Sequence, residues 1–277
     1  MFIPLRVHST FSRGEGSLTL EELVQFAERN RLPAAALTDV AAFYGWGKWQ
    51  ALSEGRGFKP VFGCELELDF PIRGSRYVFL IKEKKGYHRL LEIFNRREFL
   101  EPDGLATIFI LPEKLPVSEV ELEEWVSFIR QIGERAPDDL YLGCGLNNLP
   151  GGEWLSAKTG FPLLWTEPLK FLTSAPRLVL LRTIEKKIPY PPELKRLSPV
   201  LRNFGPEQEK IALKKYGDRV KPLFRRHQEL IEKIDFSFKN IVPPLPPDLF
   251  PVCLRQVIND RLSRLQNVSW EERARAV

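Results

Sequence analysis

Over residues 2–81 the apolar positions come in short runs separated by stretches of helical spacing, the pattern of strands alternating with helices. Residues 2–7 form the first apolar run, and a loop with Gly14 and Gly16 follows. Ser17 or Thr19 can then cap a helix whose first turn carries Glu21 and Glu22 and whose apolar face is Leu20, Leu23, Val24, Phe26 and Ala27. Asn30 and Pro33 mark its end. Residues 34–37 predict a second strand, from which Thr38 and Asp39 lead into a helix bearing Phe43, Trp46 and Trp49. Residues 60–68 and 77–81 predict two further strands. This repetition argues for a mostly parallel sheet or barrel whose strand C-termini face a common site.

The later chain reads differently. Residues 113–139 hold eight acidic and three basic side chains around a helical pattern of Leu122, Trp125, Val126, Phe128 and Ile129. Residues 181–240 hold fifteen basic and eight acidic side chains and read as helices interrupted by Pro189, Pro191 and Pro192. Four prolines within residues 241–248 predict a stiff, extended connector, and an amphipathic helix with Leu254, Val257, Ile258, Leu262 and Leu265 follows it. The expected organisation is one domain over residues 1–240, including the basic helical segment 181–240, and then a linker and helix over 241–277.

Composition narrows the function classes. A chain of 277 residues, 43% hydrophobic, can bury a large core. Its net charge of +5 resolves into an acidic middle and a basic later segment, which permits a nucleic-acid partner without requiring one. Cys64, Cys144 and Cys253 lie far apart and in no C-x-x-C arrangement, so neither a disulfide framework nor a structural zinc site is expected, and a cytoplasmic setting fits. No window approaches the roughly 18 apolar residues of a membrane span, and the first residues lack the apolar core of a signal peptide. No membrane partner is expected. Histidine is scarce: His8, His88 and His227 are all there are, too few for a site built on several imidazoles.

Four segments, in order, carry a resemblance to a known family. They are Leu5-Arg6-Val7-His8-Ser9-Thr10-Phe11-Ser12, Leu20-Glu21-Glu22-Leu23-Val24, Ala36-Leu37-Thr38-Asp39-Val40 with Tyr44-Gly45, and Lys59-Pro60-Val61-Phe62-Gly63-Cys64-Glu65. These resemble the PHP (polymerase and histidinol phosphatase) domain at the N-terminus of bacterial DNA polymerase III alpha subunits, which writes H-x-H-[ST]-x-[YF]-S, A-L-T-D-H and K-P-[IV]-x-G-[CA]-E at these places. Weaker echoes run through residues 86–91, residues 166–172 and the proline-rich connector. The resemblance implies an α/β fold, a distorted PHP-type (β/α)7-like barrel with a C-terminal helical extension. It also implies a cluster of up to three divalent metals held by His and carboxylate ligands for phosphoester hydrolysis.

Carried over residue by residue, that ligand pattern is mostly lost. His8, Glu15 and Glu65 keep ligand-type side chains as vestigial positions, while Arg6, Val40, Tyr77, Pro168 and Lys170 stand where the family has other ligands. The central ligand region aligns loosely with residues 142–150, which offer Asn147 and Asn148 but no imidazole. A cation in a ligand position repels a divalent metal by several kcal/mol at the low effective dielectric of a cleft. No metal or other cofactor is therefore expected, and Arg6 and Lys170 are expected to form ion pairs with Glu15 and Glu65. Asp39 is expected to hold a loop by accepting hydrogen bonds.

The remaining chemistry reads as structural. His88 and His227 lie in basic helical contexts, Trp46 and Trp49 have core spacing, and residues 14–16 lack the phosphate-cradling G-x-x-x-x-G-K-[ST] pattern. Lys186, Lys187, Lys214, Lys215, Arg225 and Arg226 are candidate contacts for weak, non-specific DNA binding. The expected function is that of a catalytically inactive PHP-domain protein, a scaffolding part of a DNA replication or repair polymerase whose partner is a polymerase core or related protein. The alternatives are a metal-dependent phosphoesterase with residual activity and a basic DNA-binding accessory module.

Overall fold

A computed structural model describes residues 2–12, 14–115, 119–136, 139–172, 178, 180 and 207–238. The chain divides into Met1–Ser237 and Phe238–Val277, and of the second part only Phe238 is among the described residues. The proline-rich connector, the helix expected after it, Cys253, and the basic pair Lys186-Lys187 lie outside them.

The fold is mixed α/β. Its sheet comprises β1 (Ala34–Leu37), β2 (Lys59–Leu68), β3 (Ser75–Ile81), β4 (Leu105–Ile110), β5 (Leu140–Cys144) and β6 (Leu163–Trp165), in that spatial order. The helices between them are α1 (Leu20–Arg29), α2 (Trp46–Ser53), α3 (Lys84–Arg96), α4 (Glu119–Arg135) and α5 (Leu149–Thr159). After β6 come α6 (Gln208–Tyr216), a 3-10 turn (Gly217–Val220) and α7 (Lys221–Glu232).

Local chemistry explains these boundaries. Thr19 is the N-cap of α1: its hydroxyl accepts from the Glu22 N–H at 3.2 Å, while the Glu22 carboxylate accepts from the Thr19 N–H at 2.8 Å, a reciprocal capping box. The buried face of α1 is Leu20, Leu23, Val24 and Ala27. Gly160 ends α5 in the left-handed region at φ 80°, where glycine meets no steric penalty.

Two expectations need correction. The sheet is less parallel than the strand–helix alternation suggests: β1–β2, β4–β5 and β5–β6 are parallel, but β3 runs antiparallel to both β2 and β4. Residues 69–74 leave no room for the crossover that a parallel partner of β2 would need, so β3 must return alongside it. The apolar run at residues 2–7 is also not a ladder strand. It instead joins the two ends of the sheet, its Pro4 and Val7 carbonyls accepting from the Ala36 and Thr38 N–H groups. On its other side the Leu169 N–H donates to the Arg6 carbonyl and the His8 N–H to the Leu169 carbonyl, so the sheet curls into a barrel-like wall.

Inside the wall sits an apolar cluster with contributions from Ile3, Leu5, Val61, Leu80, Ile108 and Leu164. Leu230, Ile231 and Ile234, in and just after α7, complete it. The α7 region is fastened to one end of the barrel: Lys59 Nζ donates to the Ile231 carbonyl at 3.1 Å, Arg226 to that of Leu163 at 3.0 Å, and the Asp235 N–H to that of Lys82 at 2.8 Å. Lys59 and Leu163 open their parallel strands, so α7 closes the N-terminal end, leaving open the end where β2, β4, β5 and β6 finish.

Candidate site at the open end of the barrel

The loop after the first apolar run is shaped by one buried carboxylate. Asp39, just past β1, accepts from the Ser9 N–H (2.7 Å), the Ser9 hydroxyl (2.8 Å) and the Ser12 hydroxyl (2.6 Å). Burial raises the Asp39 pKa, and these hydrogen bonds work against that rise. The Ser12 oxygen in turn accepts from the Val40 N–H at 2.9 Å. Gly16 lets the loop fold back, because a Cβ there would lie 2.1 Å from the His8 carbonyl oxygen.

Glu65, on β2, is the centre of the site. Arg6 Nε donates to Glu65 Oε2 at 2.6 Å and Arg6 Nη2 to Oε1 at 2.7 Å, a two-pronged pair that fits a guanidinium to a carboxylate. His8 Nε2 lies 2.7 Å from the same Oε2. A second guanidinium, Arg76 on β3, brings Nη1 to 3.6 Å from Oε1. Burial alone would raise the Glu65 pKa, but Arg6 and His8 together, by charge and by hydrogen bond, outweigh it and hold the carboxyl well below the usual carboxylate range. Burial lowers the His8 pKa against the pull of Glu65, with Lys170 and Arg6 pushing the same way.

On the opposite rim, Lys170 Nζ lies 2.6 Å from Glu15 Oε2, and the Ser17 N–H donates to the Lys170 carbonyl at 2.8 Å. Beside it, Glu167 Oε1 accepts from the Leu146 N–H at 2.7 Å. Burial raises the Glu167 pKa, opposed by that hydrogen bond. Pro168 is buried, and its carbonyl accepts from Gln208 Nε2 at 2.9 Å. Between these groups opens a cleft of about 590 Å³, with Arg6, Arg73, Arg76, Glu113, Glu167 and Lys170 among its lining and Phe109, Pro112 and Trp125 on its walls.

Other residues singled out by sequence lie elsewhere or serve the scaffold. Tyr77 does not reach the cleft: it pairs with Leu66, on the face opposite Glu65, and stacks among Phe79, Phe99 and Phe109 with its hydroxyl on the Phe70 carbonyl. Its neighbour Arg76 shares the Glu65 face instead, a consequence of the two-residue period. Val40 forms an isolated bridge with Glu65. Asn147 and Asn148 both line the cleft, and Asn148 donates its amide N–H groups to the Leu111 and Pro112 carbonyls. His88 is exposed and His227 is buried beside Phe2 and Phe224, far along the chain from the ligand motifs. Burial pushes the Cys64 thiol up to about 12 and raises that of Cys144 well above its ordinary value, which keeps both as thiols rather than reactive thiolates. Of the basic residues, Lys215 donates to the Leu146 carbonyl and Arg226 to that of Leu163, Arg225 faces Glu229 at 3.6 Å, and Lys214 is exposed.

Arg73, Arg76, Glu113 and Glu167 are charged cleft residues that motif reading missed. The signal for Glu167 was its place one residue before Pro168, whereas the place of Arg76 opposite Glu67 emerges only with the register of β3 on β2.

The donor set does not fit a divalent metal. Both oxygens of Glu65 are engaged by Arg6, and Oε2 also by His8, while Arg6 and Lys170 bring fixed positive charge to the place a cation would need. His8 Nδ1 is buried and unpartnered among the described residues, but one imidazole nitrogen is not a site. Among the described residues, no group of three or more His, Cys, Asp and Glu is arranged to hold a metal.

A curled α/β sheet closed at one end, with charged side chains collected at the strand C-termini, defines a barrel-type domain with a terminal cleft. Residues 4–118 match the model of the PHP domain. The alpha subunit of DNA polymerase III from Rickettsia conorii is 32% identical over 93 residues, which covers 33% of this chain and 8% of that protein. The Haemophilus influenzae alpha subunit is 24% identical over 204 residues, covering 62% of this chain and 17% of the relative. The chain thus spans less than a fifth of these relatives' length. Among solved structures, an amidohydrolase from Chromobacterium violaceum aligns over 62% of this chain and 88% of its own, at 13% identity and a TM-score of 0.47. Among the described residues, no helix is long and apolar enough to cross a membrane.

Proposed function

We propose that this chain is a non-catalytic PHP domain that serves as a structural part of a DNA replication or repair polymerase. The observation that carries the reading is the Arg6–Glu65 pair: a guanidinium sits on the carboxylate that the family motif offers to metal. A scaffold needs its rim held in one shape, and two ion pairs do that here without a cofactor, Arg6 tying residues 5–8 to β2 and Lys170 tying the segment after β6 to the Glu15 loop. Support for the polymerase setting comes from the matches to polymerase III alpha subunits, whose larger remainder would be the partner surface.

The test has two arms. Adding manganese or zinc is expected to leave the melting temperature unchanged, since a ligand that bound the native state would raise it by mass action. A generic phosphomonoester or phosphodiester substrate is expected to show no turnover above that of a Glu65→Gln variant. Metal-dependent stabilisation together with Glu65-dependent turnover would replace this reading with an active phosphoesterase.

A further inference from the structure

We propose that the open-end cleft binds a compact oxyanion carried on an apolar or aromatic body, held by Arg76 and Arg73 without a metal. The inference rests on the metal-free reading above, because it takes Arg6 to be already committed to Glu65. The cleft, at about 590 Å³, falls in the size range of small-molecule sites, roughly 300–1,000 Å³. Its charges are unevenly spent. Arg6 closes a two-pronged pair on Glu65, and Lys170 pairs with Glu15 at 2.6 Å.

Arg76 is different. It adds a second positive charge to a carboxylate that Arg6 already neutralises. Its closest acidic contacts are 3.6 Å to Glu65 and 3.5 Å to Glu67, beyond the length of a good charge-assisted hydrogen bond. Its side chain is 48% exposed, so its donors point where a ligand can reach them. Arg73, from the loop between β2 and β3, lines the same cleft and has no ion pair or hydrogen bond among the described residues. A guanidinium fork matches an oxyanion in geometry as well as charge.

The carboxylates nearby compete weakly for these two arginines. Glu67 and Glu113 are exposed and screened by solvent, and Glu167 faces Lys170 and Arg6 while holding the Leu146 N–H. The remaining wall is apolar. Trp125, stacked on Phe109, stands with Pro112 and Ile72 and can cover a planar or aliphatic body attached to the anion.

The experiment is a titration of the whole chain by calorimetry and tryptophan fluorescence, with chelator present throughout. The probes are phenyl phosphate and benzoate, which share a ring and differ in the anion. Saturable binding of either probe is expected, and its identity tells a phosphate ligand from a carboxylate one. Arg73→Ala/Arg76→Ala is expected to weaken it roughly ten- to a hundredfold, and Arg76→Lys to recover only part of the loss. Arg225→Ala, on α7 at the closed end of the barrel, is expected to bind as the parent does. Because Arg73 and Arg76 are exposed, retention of the parental melting temperature separates lost binding from lost folding. No saturable binding of either probe, or binding insensitive to both arginines, overturns the proposal. Binding that requires added metal overturns the metal-free reading with it, whereas phosphoesterase turnover without effect on arginine-dependent binding sinks the scaffold reading alone.

Discussion

The two ends of the barrel solve the same packing problem with opposite chemistry. At the closed end α7 lays Leu230 and Ile231 onto the apolar interior, and the polar groups there are mainly clamps onto backbone carbonyls. At the open end the interior finishes in Glu65, Arg6 and His8, buried charge and imidazole that must satisfy one another. Apolar burial is tolerant of small changes because its energy is spread over many contacts. A buried ion pair is not, since removing either partner strands the other without solvent. The open end is therefore the place where single substitutions are most costly.

That contrast can be broken at either end. Arg6→Met leaves Glu65 buried without its main counter-charge and is expected to cost about 3–5 kcal/mol in urea denaturation. The double variant Arg6→Met/Glu65→Leu is expected to regain most of it; a single-variant loss below about 1 kcal/mol would show that the pair holds nothing together. At the closed end, Leu230→Ala is expected to cost about 2–5 kcal/mol, depending on how far the neighbours collapse into the space.

Acid distinguishes the ends further. Burial pulls the His227 pKa from 6.5 down to about 4, so the folded protein resists protonation there. A depressed pKa means stability that is full above pH 6.5 and is lost as pH falls towards about 4, on the order of 3 kcal/mol in all. His8, also depressed, adds loss in the same direction from the open end, while Glu65 adds its own only below its unfolded value of 4.5. Stability against pH for His227→Gln should lose the closed-end part of that slope; an unchanged slope would mean His227 is readily protonated in the native state. The smallest expected effect is at Thr19, remote from both ends, where Thr19→Ala removes the α1 cap for about 1 kcal/mol, measured by thermal unfolding.

How much of this was legible beforehand depended on the range of the interaction. The Thr19 cap, the Ala34–Leu37 strand and the β2 strand follow from neighbours within a few residues, and their boundaries read well from spacing. The positions of Arg6, Glu65 and Lys170 on the strand ends were readable because ordered motifs fix their register. Arg76 was not, because which face it presents depends on the antiparallel register of β3 against β2, set by a loop whose turn the sequence pattern leaves open. Nor was the role of α7, since its helical pattern is evident but its seat on the barrel end is a contact across more than a hundred residues of chain.

Strand β2 carries one further consequence. Lys59, at its start, clamps the Ile231 and Ile234 carbonyls at the end of α7, and Glu65, further along it, receives Arg6. The two lie about 20 Å apart along an extended backbone. The strand thus works as a ruler with a mark at each end. A one-residue insertion between them would move one mark past its partner and turn the intervening side chains to the wrong face, so the clamp and the ion pair are made at once only at the present length of the strand.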